Sequence, residues 1–124
     1  MDKVEFTSEL LKRSKQFALR IIKLFQALPK TGESQIIGKQ IVRSGTSLAA
    51  NYRAACRARS KAEFFSKICI VVEETDETLF WMEMLIEANI VPEKKLTTLI
   101  KEGTELLSIF SKARKTTSLS KQNL

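Results

Sequence analysis

The chain contains no histidine. That absence removes the Glu-x-x-His pairs with which four-helix bundles hold two irons, and every triad that uses imidazole as its base. The two cysteines, Cys56 and Cys69, lack the paired spacing of a zinc site and are too few for a disulfide framework. Set among apolar helical neighbours, they read as small core residues. No stretch approaches the roughly 18 apolar residues of a membrane span, and the opening MDKVEFTSELLKR lacks the apolar region of a signal peptide. With four glycines in all, there is no Gly-rich phosphate loop of the Walker or Rossmann kind. The sequence thus offers no residues to run catalysis and no metal or cofactor site, and a reducing cytoplasm is its default setting.

What is present is a single-domain length of 124 residues, 44% hydrophobic and 28% charged, which suits a folded helical protein. The 21 Lys and Arg residues exceed the 14 Asp and Glu residues, and the net charge of +7 favours contact with polyanions.

Breakers divide the chain into four amphipathic segments. The first runs from Phe6 to Leu28 and closes at Pro29-Lys30-Thr31-Gly32, with Leu10, Phe17, Ile21, Phe25 and Leu28 on one stripe. The second spans Gln35 to Arg59, with Ile37, Ile41, Ser44, Leu48, Tyr52 and Ala55 in line. Ser60-Lys61-Ala62-Glu63 reads as a capping box that opens the third, in which the serine hydroxyl and the glutamate carboxylate satisfy each other's backbone N–H groups. That segment runs to about Asn89. The fourth begins at Pro92 and carries Leu96, Leu99, Gly103, Leu106 and Phe110. Four helices with short connections predict an all-α, up-down-up-down antiparallel bundle over residues 1–115, with 116–124 as a frayed tail.

At 100° per residue, Phe64, Ile68, Val72, Thr75, Leu79, Met82 and Ile86 form the core stripe of the third helix. Phe80 and Met84 fall in a second sector, and Ile70, Trp81 and Leu85 in a third. A helix with bulky apolar groups on every side has more to bury than one small monomer can cover. These five residues are the expected oligomer interface.

Lys39, Arg43, Arg53 and Arg57 share an outward sector of the second helix over about 27 Å, a length that can follow several phosphates. The first-helix cations Lys12, Arg13, Lys15, Arg20 and Lys23 add to the positive surface but spread around it. The alternative for the stripe is ion pairing with Glu73, Glu74, Asp76 and Glu77, above all by Arg53, Arg57 or Arg59. Arg59, near the apolar line, is expected to meet a carboxylate, and Asn51 to fix register by bonding to another helix or to a neighbouring subunit. With Ser60 and Glu63 these form the structural polar set. No RRM or zinc-finger pattern is present.

The run IVRSGTSLAANYRAACRARSKAEFFSKICIVVEETDETLFWMEMLIE resembles the 23S rRNA intervening-sequence (S23-like) protein family of bacteria, most specifically at Arg43-Ser44, Ala50-Asn51 and Arg59-Ser60-Lys61-Ala62-Glu63-Phe64. Many members have a proline within the stretch occupied here by Ser47 to Ala55, and its absence implies a straighter second helix. The resemblance implies a helical bundle assembled as a homo-oligomeric ring, typically a homopentamer, and an association with insertions in rRNA genes. Two functions follow as expectations: an RNA-binding module working through the basic surface, or a homo-oligomeric scaffold that docks an acidic protein.

Overall fold

The structure, a computed structural model, describes residues 2–122. Four helices follow one another: α1 Lys3–Ala27, α2 Gly32–Cys56, α3 Lys61–Glu87 and α4 Glu93–Gln122. Each packs on the next. The α2–α3 interface is the most extensive, while α1 and α4 close the bundle only lightly. Arg13 meets Glu102 and Arg20 meets Thr98 across that last seam, so α1 and α4 run antiparallel. Only four residues separate the end of α2 from the start of α3, and Arg43 meets Glu74 and Glu77 at a similar distance from that short connection, so α2 and α3 do too.

Alternating steps of three and four residues define the core. On α3 the line is Ile68, Val71, Thr75, Thr78, Met82 and Leu85; on α4 it is Leu96, Leu99, Gly103, Leu106 and Phe110. The burial on α1 and α2 follows the same spacing. A mean period of 3.5 is the spacing at which apolar seams stay facing one another in helices wound slightly left-handed about each other. The α3 stripe therefore differs from the expected one: Val71, Thr78 and Leu85 are buried, whereas Phe64, Leu79 and Ile86 are only partly so. Thr78 can occupy the core because its hydroxyl bonds locally to the Glu74 carbonyl at 2.8 Å and across the interface to Ser44 Oγ at 2.9 Å. Ser44, fully buried, in turn donates to the Gln40 carbonyl at 3.0 Å.

The helix ends have local causes. Asp2 caps α1 by accepting from the Glu5 N–H at 2.8 Å, so the helix starts three residues before Phe6. Ser60 caps α3 by accepting from the Glu63 N–H at 3.1 Å, but the glutamate carboxylate turns toward Arg59 Nε at 3.8 Å, so only half of the expected box is seen. After Glu87, Asn89 takes a left-handed φ of 59°, and the Ile90 and Asn89 N–H groups bond back to Leu85 and Ile86 carbonyls in a Schellman arrangement. Helix α2 runs without interruption from Gly32 to Cys56. The expected frayed tail is corrected in part. With neither glycine nor proline after Lys115, α4 continues through Gln122, and Thr117 Oγ1 bonds back to the Ala113 carbonyl at 2.8 Å; residues 123–124 of that tail lie outside the described residues.

Candidate nucleic-acid interface

Charge is segregated among the helices. Seven of the fourteen carboxylates lie on α3. Pairing α2 against α3 brings Arg43 between two of them: Nη1 lies 3.1 Å from Glu74 Oε2, and Nη2 closely contacts Glu77 Oε2. Glu77 also accepts from Trp81 Nε1 at 3.0 Å. Arg43 is thus engaged within the bundle, and it takes the acidic partners expected for Arg53, Arg57 or Arg59. A second arginine is engaged at the α1–α4 seam. Arg13 donates through Nε and Nη2 to both oxygens of Glu102 at 3.0 and 2.7 Å, and Nη2 lies 3.0 Å from Glu105. These hydrogen bonds and the two neighbouring negative charges outweigh burial and raise the guanidinium pKa further above its ordinary value.

The remaining cations gather elsewhere. Helices α1 and α2 bound an open groove of about 1180 Å³, lined by Lys12 and Lys15 from one wall and by Arg53 and Arg57 at the end of the other. Ala49 and Ala50 keep the lining low, because small side chains let a ligand backbone approach. Arg53 and Arg57 are exposed, and among the described residues neither makes an ion pair. Glu63 is the one carboxylate lining the groove, and Arg59 is its partner.

The four-residue basic stripe is therefore divided. Arg53 and Arg57 enter the groove, Arg43 faces the acidic helix, and Lys39 is exposed outside the groove lining. Lys12 and Lys15, which looked dispersed on α1 alone, join the two arginines once the helices pack. Their spacing of three residues beside Leu11, which lines the same groove, was the available signal.

The structural polar residues also move. Asn51 does not reach another helix: its Nδ2 bonds to the Ser47 carbonyl and hydroxyl, both at 3.0 Å, one turn back in α2. Inter-helix register is tied instead by Thr78 and Ser44. Arg59 does meet a carboxylate, but loosely, and its side chain is 91% exposed.

Of the five expected interface residues, Leu85 is corrected outright: it is 0% exposed, buried within the monomer's own core, and cannot touch a second copy. Phe80 is 47% exposed and Met84 is 36% exposed, while Ile70 and Trp81 are half-buried. The Phe80 and Trp81 rings meet edge to face at 5.0 Å. Ile36, 67% exposed, was missed; counted along the antiparallel pairing of Arg43 with Glu77, it lies level with Met84.

These features define a class: a small antiparallel four-helix bundle with a heptad-spaced core, one acidic helix and a basic groove on the opposite pair. Within that class the family is shown by comparison. The model of the 23S rRNA-intervening sequence proteins matches residues 7–112, and the chain belongs to that family. A crystal structure of a protein of unknown function from the S23 ribosomal protein family of Bacteroides thetaiotaomicron is similar, at 33% identity and a TM-score of 0.80, covering 86% of this chain and 98% of that one. No curated protein matches the chain. No helix among the described residues is long and apolar enough to cross a membrane.

Proposed function

We propose that this bundle is a non-catalytic RNA-binding module that holds phosphates in the α1–α2 groove, and that copies of it associate through the apolar surface of α3. One observation carries the RNA reading: Lys12, Lys15, Arg53 and Arg57 converge on a groove in which no carboxylate pairs with Arg53 or Arg57, while Arg13 and Arg43 are engaged inside the bundle. Uncompensated guanidinium and ammonium groups along one groove suit a polyanion, and the affinity falls with salt as counterions are released. Membership of a family named for rRNA intervening sequences is consistent with an RNA partner.

Binding of a mixed-sequence single-stranded RNA, measured by anisotropy across a salt series, tests this reading. Four phosphate contacts give a slope of log affinity against log salt of about −2.8 per bound copy. Replacing Lys12, Lys15, Arg53 and Arg57 together by glutamine brings the slope toward zero. Arg43→Gln leaves it near the wild-type value. Equal losses from both variants would favour general charge over the groove.

The scaffold alternative draws on Phe80, Met84 and Ile36, exposed apolar residues of α3 and α2 that do not line the groove. In this reading the same apolar face joins copies of the chain, the groove takes an acidic protein, and RNA is not retained even at low salt. Phe80→Glu combined with Met84→Glu reduces a mass above the monomer's to the monomer value if α3 is the assembly surface.

A further inference from the structure

A second concavity, of about 660 Å³, opens at the end of the bundle where α1 and α3 begin and α2 ends. Its volume falls within the range of small-ligand sites, about 300–1,000 Å³. Three aromatic side chains from three helices turn toward it besides Phe6: Tyr52, Phe64 and Phe110. Tyr52 and Phe110 are both buried, with ring centroids 5.1 Å apart, and form a rigid floor. Phe64 is half-buried. Phe6, on the first turn of α1, lines the same cavity and is 47% exposed. Lys3 and the exposed Arg59 stand among the lining residues, so the apolar interior carries a cationic border.

This cavity is continuous with the basic groove, since Thr7 and Cys56 line both. The two surfaces differ in chemistry. The groove presents ammonium and guanidinium groups and lacks any aromatic lining, so it can hold phosphates but cannot stack bases. The cavity is lined by aromatic rings, with Thr7, Tyr52 and Cys56 adding polar atoms to the same lining. A positively charged track leading into an aromatic platform is the combination by which single-stranded nucleic acids are held.

We propose that the end cavity receives an unpaired base of a single-stranded RNA whose adjoining phosphates run along the α1–α2 groove. The inference rests on the RNA reading above and adds the strandedness of the ligand to it. A base within a duplex is stacked on its neighbours and cannot enter, so duplex RNA gains only the groove contacts. Aromatic faces accept any base, so selection is for strandedness rather than sequence.

The test uses the full-length protein and a single-stranded oligoribonucleotide carrying 2-aminopurine, with the same strand annealed to its complement as the duplex control. Because Phe6 is half-exposed, Phe6→Ala leaves the core intact. It is expected to weaken single-strand binding about 5- to 150-fold, the equivalent of one lost base stack. It should also abolish the fluorescence change of 2-aminopurine while leaving the salt slope and duplex affinity unchanged, and Phe6→Tyr should restore both losses. Should Phe6→Ala bind single strands as wild type does while the fourfold glutamine variant fails, the cavity has no part in binding and only the groove reading stands. Wild-type binding by the fourfold variant would remove the groove reading, and this one with it.

Discussion

Gly45 and Gly32 both lie in α2, yet alanine at the two positions should move stability in opposite directions. A Cβ built at Gly45 meets Ile21 Cγ2, Cγ1 and Cβ at 3.0, 3.1 and 3.3 Å. Ile21 is 0% exposed, and as a β-branched residue within a helix it is held to one χ1 well, so it cannot swing aside. Alanine in place of a mid-helix glycine gains about 1 kcal/mol in helix propensity. Forcing a methyl group into a packed interface costs about 1–3 kcal/mol. Gly45→Ala is therefore destabilising by about 1 kcal/mol, with α1 and α2 pushed apart. At Gly32, the first residue of the helix, nothing lies within 4 Å of the added carbon. Gly32→Ala should stabilise by about 0.4–1 kcal/mol through the unfolded chain. Thermal unfolding followed by circular dichroism reads both, at a fixed protein concentration because assembly would shift the midpoint. At roughly 4 °C per kcal/mol, the two variants should straddle the wild type by a combined 5–8 °C or so. A rise in midpoint for Gly45→Ala equal to that for Gly32→Ala would refute the close approach of α1 to α2 at Ile21.

Removing Arg13 with Arg13→Gln deletes a partly buried, two-pronged bond to Glu102 at the lightest seam of the bundle. The loss should be about 1–2 kcal/mol, with hydrogen exchange accelerating in α1 and α4 before α2 and α3; uniform acceleration would count against a local role. The Thr78 and Ser44 hydroxyls should couple by about 1 kcal/mol in a double-mutant cycle of Thr78→Val and Ser44→Ala, and zero coupling would mean that they do not tie α2 to α3. Burial, first, raises the pKa of both the Tyr52 hydroxyl and the Cys56 thiol. Both groups are neutral in the fold, and the unfolded chain loses their protons at lower pH, from about 9 upward. Their contribution is thus complete below pH 9 and declines above it, and Tyr52→Phe should flatten that decline in denaturant titrations.

The architecture was legible in the sequence because it depends on local spacing and breakers. Leu96, Leu99, Leu106 and Phe110 sit at heptad intervals with no polar residue disturbing the pattern, and the structure buries all four. Helix α3 was harder. Both Thr78 and Leu79 lie near the edge of its stripe, and hydrophobicity alone selects Leu79; the hydroxyl of Thr78 is acceptable in the core because the Glu74 carbonyl one turn back and Ser44 on another helix both meet it. Leu85 was misplaced for the same reason, since a single-helix projection at 100° per residue drifts from a seam that repeats every 3.5. The Asp2 cap had a readable signal in Glu5 three residues later. Which cation takes which carboxylate between helices had none. Arg43 and Arg53 belong to one stripe on α2, and only the packing of α3 on one side and α1 on the other sends the first to carboxylates and the second to lysines.

That division determines what the surplus charge can do. A net charge of +7 spread evenly would attract any polyanion weakly and from every direction. Here α3 holds half of the carboxylates, and it engages Arg43, so the positive field is displaced toward the α1–α2 groove. The exposed apolar residues Phe80 and Met84 lie on the acidic helix, and neither lines the groove. Self-association through α3 would therefore leave the groove of every copy open, and each added copy would supply another set of cations at short range. Avidity for a long strand should then depend on assembly, whereas the salt slope per bound copy should not. The α3 variant with Phe80→Glu and Met84→Glu separates the two quantities: long RNA should lose affinity steeply, and an oligonucleotide short enough to occupy one groove should bind as before. A parallel loss for the short strand would place the apolar face and the basic groove in a single surface, contrary to the geometry.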